Sequence, residues 1–319
     1  MTAPDGRRVA CIGAGNVGRA WALVFARAGF RVALYDLDSA AIERAGGLLA
    51  RNARDLEAAG LIASAESVMT LITAQPVLEE ALAGVEHVQE SVREDLAIKR
   101  EVFETLGRLA PVDATLASST SALPGSEFME QAPGRERCLV AHPVNPPSLI
   151  PLVELCPTPW TDEGTLQRAR TLMQEVGQHP IVLRREVPGF ILNRLQYTLV
   201  GEALHLVGEG YCDAEDIDAV ITQGLALRWV LMGPFQVAHL NASEGFQGFV
   251  DQLGDMMRTV GREARPDYPW DDALIARIHD QLANSTPVEA IADRQLQRDR
   301  NIMSLLNWRN GLGDAANDH

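Results

Sequence analysis

The stretch from Val9 to Asp36 constrains this chain more than any other, because it sets a strand, a glycine turn, a helix, a second strand and an acid in one order. Val9–Ile12 is a short apolar run, and Gly13-Ala14-Gly15-Asn16-Val17-Gly18 follows it directly. Val17, Ala20, Trp21, Val24, Phe25 and Ala28 then recur at steps of three and four, the period of a helix with one buried face, and Gly29 supplies the stop. Arg31–Tyr35 is the next apolar run, and Asp36 ends it.

Each position in that order has a physical use. Gly13 permits a tight turn, Gly15 lets a pyrophosphate approach the backbone, and Gly18 lets helix and strand pack closely. The amides of Asn16 and Val17 open the helix without intrahelical partners and face an anion. Asp36 can accept a hydrogen bond from an adenine ribose 2′-hydroxyl and would repel a 2′-phosphate, so NAD is expected rather than NADP. The alternative is a glycine turn in a non-binding α/β protein, with Asp36 merely capping the next helix.

Further strand-like runs at Thr70–Thr73, Val85–Gln89, Thr115–Ser118, Cys138–Ala141 and Ile181–Leu183 alternate with helical stretches, the pattern of a parallel sheet covered by crossover helices. Beyond about Pro188 the strand signal fades. Phe190, Leu192, Leu195, Leu199, Ala203, Leu206 and Val207 begin a series of amphipathic stretches. The expected fold is an α/β Rossmann-type doubly wound sheet over residues 1–188 and an all-α domain over residues 189–319. The polar end Asn310–His319 reads as a tail.

Composition narrows the function classes. A formal charge of −15 disfavours nucleic acid and anionic membranes as partners. Cys11, Cys138, Cys156 and Cys212 form no paired spacing for a zinc or redox site, so no metal is expected. No apolar run approaches the ~18 residues of a membrane span, and Met1–Arg8 lacks a signal-peptide pattern. The chain therefore reads as soluble and cytoplasmic.

His142-Pro143-Val144-Asn145-Pro146-Pro147 follows the strand candidate Cys138–Ala141, so His142 and Asn145 are expected on an irregular loop at a strand end, where open α/β sheets bind ligands. Glu154 lies in the apolar run Pro151-Leu-Val-Glu-Leu155, where an unpaired carboxylate is costly. It needs a partner, and His142 is the nearest candidate in sequence. A carboxylate on one imidazole nitrogen makes the other nitrogen a base suited to alcohol oxidation.

Taken together, Val9–Asp36, Ser118-Ser119-Thr120-Ser121, His142 through Asn145 to Glu154, and Pro188-Gly-Phe-Ile-Leu-Asn-Arg194 resemble the 3-hydroxyacyl-CoA dehydrogenase superfamily in order and spacing. The resemblance implies His142 as catalytic base, Glu154 as its partner, and Ser121, Asn145 and Asn193 as polar groups around the reacting oxygen and the histidine. It also implies that Glu94 and Lys99 contact the NAD side. From the residues themselves, Glu94 and Asp95 read equally well as helix caps and Lys99 as solvated.

Within the superfamily, Ser119, the run His142–Pro147 and Gly224-Leu-Ala-Leu-Arg-Trp229 are similar to the lambda-crystallin and L-gulonate 3-dehydrogenase branch rather than to the acyl-CoA enzymes. Asp55–Glu80, where a CoA-proximal hairpin would fall, holds five acids and no Lys or Arg, which suits a nucleotide tail poorly. Arg228 can instead pair with the carboxylate of a small hydroxy acid, or stand in a structural ion pair. The branch implies NAD-dependent oxidation of a 3-hydroxyl, with L-gulonate as the leading substrate. A 3-hydroxyacyl-CoA dehydrogenase, a carnitine dehydrogenase or diketone reductase, and a crystallin-like structural or NAD-sensing protein are the alternatives. The resemblance further implies a homodimer through the helical domain.

Overall fold

The structure is a computed structural model and describes residues 6–316. Two compact units form: the chain up to Asn193 together with the stretch from Leu296, and Arg194–Gln295.

The first unit contains, in order, β1 (Arg8–Ile12), α1 (Asn16–Arg27), β2 (Arg31–Tyr35), α2 (Ser39–Ala58), α3 (Ala65–Thr70), β3 (Ile72–Ala74), α4 (Leu78–Leu82), β4 (His87–Glu90), α5 (Leu96–Leu109), β5 (Thr115–Ser118), α6 (Ser126–Met129), β6 (Cys138–Pro143), β7 (Leu152–Pro157), α7 (Glu163–Glu175) and β8 (His179–Val182). The sheet order is β3-β2-β1-β4-β5-β6-β7-β8. Every neighbouring pair is parallel except β6 and β7. This is the expected doubly wound Rossmann-type sheet, and strand order reverses between β1 and β4, the crevice where such sheets bind ligands.

Alternation along the strands builds a core on each face. Val9, Cys11, Val32 and Leu34 pack with Trp21 and Phe25 of α1, while Ala10, Ile12, Ala33 and Val88 pack with Phe103 and Leu106 of α5. Gly29, at φ 90°, ends α1 as the sequence indicated.

Two strand expectations need correction. Leu152–Pro157 is a full strand, β7, and its antiparallel pairing extends β6 through Pro143, so His142 lies inside a strand rather than on a loop. Asn145 does lie in the loop beyond it and is exposed.

The second unit begins within α8 (Leu192–Gly208) and continues through α9 (Ala214–Ala219), a π-helical turn Val220–Leu225, α10 (Ala226–Trp229), α11 (Pro234–Leu240), α12 (Gly245–Glu263), α13 (Asp272–Ser285) and the start of α14 (Ile291–Ala316). Its helix starts carry the expected signals: a capping box between Asp213 and Asp216, Pro234 in the first turn of α11, and the Asp271 carboxylate accepting from the Leu274 amide at 2.8 Å. Among the described residues no helix is long and apolar enough to cross a membrane.

The C-terminal stretch departs from the expected boundaries. Residues from Leu296 return to the first unit, where Met303 is buried in the core, Ile302 and Leu306 pack against it, and Asn307 donates to the Ala59 carbonyl. Helix α14 continues to Ala316, so most of the expected tail is helical; residues 317–319 lie outside the described residues.

Candidate active site

The glycine turn is shaped by contacts that leave no room for side chains. Gly13 has φ 104°, and a Cβ there would stand 2.5 Å from the Ser91 carbonyl oxygen; one on Gly18 would stand 1.8 Å from the Gly13 carbonyl oxygen. A Cβ on Gly15 would meet nothing within 4 Å, so the turn is open where a pyrophosphate must approach. Gly15 precedes α1 without a side-chain cap, which leaves the first amides, those of Asn16 and Val17, facing outward from the helix end.

Asp36 closes the other side. Its Oδ2 accepts from the Ala14 amide at 2.7 Å and its Oδ1 from the Asp38 amide at 2.9 Å. Gly13, Gly15, Asp36, Ser91, Val92 and Ile98 line a cavity of about 910 Å³. An open glycine turn and the Asp36 carboxylate around one cavity fit a dinucleotide; Asn16, Val17 and Gly18 do not line that cavity. Arg19, which the sequence reading passed over, also lines the cavity, donating to the Ala14 carbonyl at 2.7 Å and to Asn16 Oδ1 at 2.6 Å.

At the far end of the sheet, register pairs His142 with Glu154 across β6 and β7, and His142 Nδ1 lies 2.8 Å from Glu154 Oε2. Both side chains are buried. Glu154 Oε1 accepts from the amides of Ile191 and Leu192 at 2.9 and 3.1 Å. The ring of Phe190 lies against the imidazole with centroids 5.1 Å apart. Phe190 reaches that place with φ 53°, directly after Gly189 at φ 74°, so a left-handed turn between β8 and α8 puts it there.

Asn193 Nδ2 donates to the Ser121 carbonyl at 2.7 Å, which ties the start of α8 to the Ser118–Ala122 turn. The structure thus brings His142, Glu154, Asn193 and Ser121 into one connected set. Asn145 makes no side-chain hydrogen bond among the described residues, and Arg228 is exposed on α10 in the second unit.

Lys99 is not solvated, Glu94 does not cap α5, and neither lines the cavity beside the glycine turn. Lys99 is 1% exposed, its ammonium 2.9 Å from Glu90 Oε1 and 3.4 Å from Glu94 Oε2. Glu94 accepts from the Thr120 hydroxyl at 2.5 Å and the Ser121 amide at 3.0 Å, while Asp95 is the cap of α5. Glu90 was missed in the sequence although a signal existed: like Glu154, it is an acid within a buried strand.

Residues 8–187 match the model of the 3-hydroxyacyl-CoA dehydrogenase NAD binding domain, and residues 189–276 that of the 3-hydroxyacyl-CoA dehydrogenase C-terminal domain. The chain belongs to the 3-hydroxyacyl-CoA dehydrogenase family. Among relatives of this dehydrogenase, a lambda-crystallin homolog of Bos taurus is 40% identical over 98% of each chain. An L-carnitine dehydrogenase of Streptomyces coelicolor is 36% identical, also over 98% of each. The structure of a 5-formyl-3-hydroxy-2-methylpyridine 4-carboxylic acid 5-dehydrogenase, an NAD⁺-dependent dismutase, superposes with a TM-score of 0.77 at 28% identity, covering 96% of this chain and 99% of that one. This dehydrogenase is an NAD-dependent oxidoreductase acting on a 3-hydroxyl group.

Proposed function

We propose that the enzyme oxidises the 3-hydroxyl of a small free hydroxy acid, L-gulonate to 3-dehydro-L-gulonate, with His142 as general base and Glu154 as its partner. The observation that carries the chemistry is the 2.8 Å contact between them. An ionised carboxylate only accepts, so the His142 Nδ1 proton points to Glu154 and Nε2 is left with its lone pair. Nε2 takes the hydroxyl proton, and Glu154 stabilises the imidazolium that forms. Ser121 is assigned to the reacting oxygen, with Asn193 holding the Ser121 carbonyl and Asn145 a further polar group beside the histidine. Phe190 shields one face of the imidazole from water. Bound NAD supplies the hydride acceptor; Gly13, Gly15, Asn16, Val17, Gly18 and Asp36 form its cradle.

Two observations favour a free acid over an acyl-CoA. Glu57, Glu66, Glu79 and Glu80 are exposed along the end of α2, α3 and α4, and although Arg51 and Arg54 are exposed one turn back on α2, the excess of acids beyond them disfavours the phosphates of CoA. Arg228 is in no ion pair among the described residues, which leaves its guanidinium for a substrate carboxylate. Replacing Arg228 by Lys should raise KM for L-gulonate; an unchanged KM removes that role.

The active form is proposed to be a cytoplasmic homodimer. Leu253, Met256, Met257 and Val260 repeat along α12 at the spacing of one helix face and are all exposed, an apolar stripe that a second copy would cover.

The reading is tested by NADH formation with L-gulonate, 3-hydroxybutyryl-CoA, free 3-hydroxybutyrate and L-carnitine at matched concentrations. L-gulonate should lead in kcat/KM by about tenfold or more, or ~1.4 kcal/mol of transition-state preference. A lead by the CoA ester contradicts it.

A further inference from the structure

The turn that carries Ser121 rests on two carboxylates and one ammonium. Glu90 ends β4 and is fully buried, and Lys99 on α5 is buried against it, with its Nζ 2.9 and 3.1 Å from the two carboxylate oxygens. Glu90 is filled on its other sides by the Val92 amide at 2.7 Å and the Ser118 hydroxyl at 2.5 Å. Lys99 also reaches Glu94 Oε2 at 3.4 Å.

The other oxygen of Glu94, Oε1, accepts from the Thr120 hydroxyl at 2.5 Å and from the amides of Ser121 and Ala122 at 3.0 and 3.3 Å. Thr120 in turn accepts from the Leu123 amide at 3.1 Å, and its own amide donates to Ser118 Oγ at 3.2 Å. Every amide from Thr120 to Leu123 is therefore held, directly or through one hydroxyl, by Glu94 or Glu90. Burial opposes the charge on Glu94, but the Thr120 hydroxyl, the Lys99 ammonium and the two amides outweigh it and hold the carboxyl below its ordinary range.

Stability alone is a poor account of this arrangement, since a buried ion pair often contributes no more than well-packed apolar residues of the same volume. What it provides is a fixed turn. We propose that Glu94 and Lys99 are positioning residues for Ser121: the carboxylate, with its charge balanced by Lys99, clamps the Thr120–Ala122 turn and fixes where the Ser121 hydroxyl stands. This rests on the assignment of Ser121 to the reacting oxygen.

A double-mutant cycle tests it in the NAD-saturated enzyme. Thr120→Val, Ser121→Ala and the pair are compared for kcat/KM with L-gulonate, or free 3-hydroxybutyrate if that is turned over faster, and for NADH Kd by fluorescence titration. Thr120→Val, which removes the hydroxyl that donates to Glu94 and accepts from Leu123 and leaves the carboxylate and Lys99 in place, should lower kcat/KM by roughly 10- to 100-fold and change NADH Kd by less than about threefold, because only orientation is lost. In the Ser121→Ala background it should cost no more than about twofold further. Losses that multiply in the pair, or a tenfold weaker NADH Kd, overturn the proposal. An unchanged kcat/KM in Ser121→Ala overturns the assignment of Ser121 and the proposal with it, an outcome distinct from multiplying losses. If Thr120→Val does not fold, Glu94→Ala, which removes the accepting oxygen, replaces it and is read by kcat/KM alone; a loss of equal size with and without Ser121 overturns the proposal, and a loss seen only with Ser121 present supports it.

Discussion

His142 and Glu154 are directly opposed across the antiparallel β6–β7 pairing, with Nδ1 and Oε2 2.8 Å apart and both side chains buried. Residues opposed in such a pair share a face and stand close enough for their side chains to touch, so strand register sets the contact. The amides of Ile191 and Leu192 hold the other carboxylate oxygen, which fixes the orientation of Glu154 as well.

Glu154→Gln should therefore fail in a specific way. The amide can still accept from Ile191 and Leu192 through its oxygen, but its nitrogen then faces His142 Nδ1 as a donor. That favours the tautomer with the proton on Nε2, where the base is needed. We expect kcat/KM to fall by roughly 10²–10⁴-fold, as for other wrong-tautomer variants, with NADH affinity unchanged; steady-state kinetics beside a binding titration checks both.

Gly18→Ala should weaken cofactor binding and the fold together. Its Cβ would fall 1.8 Å from the Gly13 carbonyl oxygen, a backbone atom that cannot yield without opening the turn. NADH titration and thermal melting should show weakened binding together with a lower Tm, whereas Gly15→Ala, whose Cβ meets nothing, should retain the fold and lose affinity only.

His87 gives the protein an acid-sensitive core. Burial, only partly opposed by the hydrogen bond to Gln89, lowers its pKa to about 4, and its Nδ1 has no partner. The unfolded chain takes up the proton near pH 6.5 while the folded chain resists, so the stabilisation is complete above pH 6.5 and is lost as pH falls toward 4. The shift corresponds to about 2 kcal/mol lost between pH 7.5 and pH 5. Urea unfolding at the two values should show it, and His87→Gln should reduce the difference; an equal loss in that variant would place the sensitivity elsewhere.

The cofactor half of the site was legible because its determinants are contiguous: strand, glycines, helix and Asp36 lie within one stretch. The contact between His142 and Glu154, the proposed catalytic pair, was legible from the need of a buried carboxylate for a partner, but the backbone that makes it was not. Prolines around His142 read as a loop, yet Val144 donates to the Leu152 carbonyl at 3.2 Å, so alternation turns Pro143 away from β7. On that other side β5 has already ended, its last partner being Val140, so the missing amide of Pro143 costs no ladder bond. Lys99 looked solvated because lysines usually are. Its spacing to Phe103 and Leu106 places it on the buried face of α5, a signal available in the sequence. The return of α14 to the first unit rests on a few contacts of Met303, Ile302 and Leu306 far along the chain, and no local pattern announces it.

The most direct test of the proposed mechanism is NADH formation by His142→Ala with L-gulonate, measured beside NADH binding. Loss of the base should reduce kcat/KM by roughly 10²–10⁴-fold while NADH affinity stays unchanged. A variant that folds, binds NADH and retains kcat/KM within about tenfold of the parent would contradict the assignment of His142 as the general base.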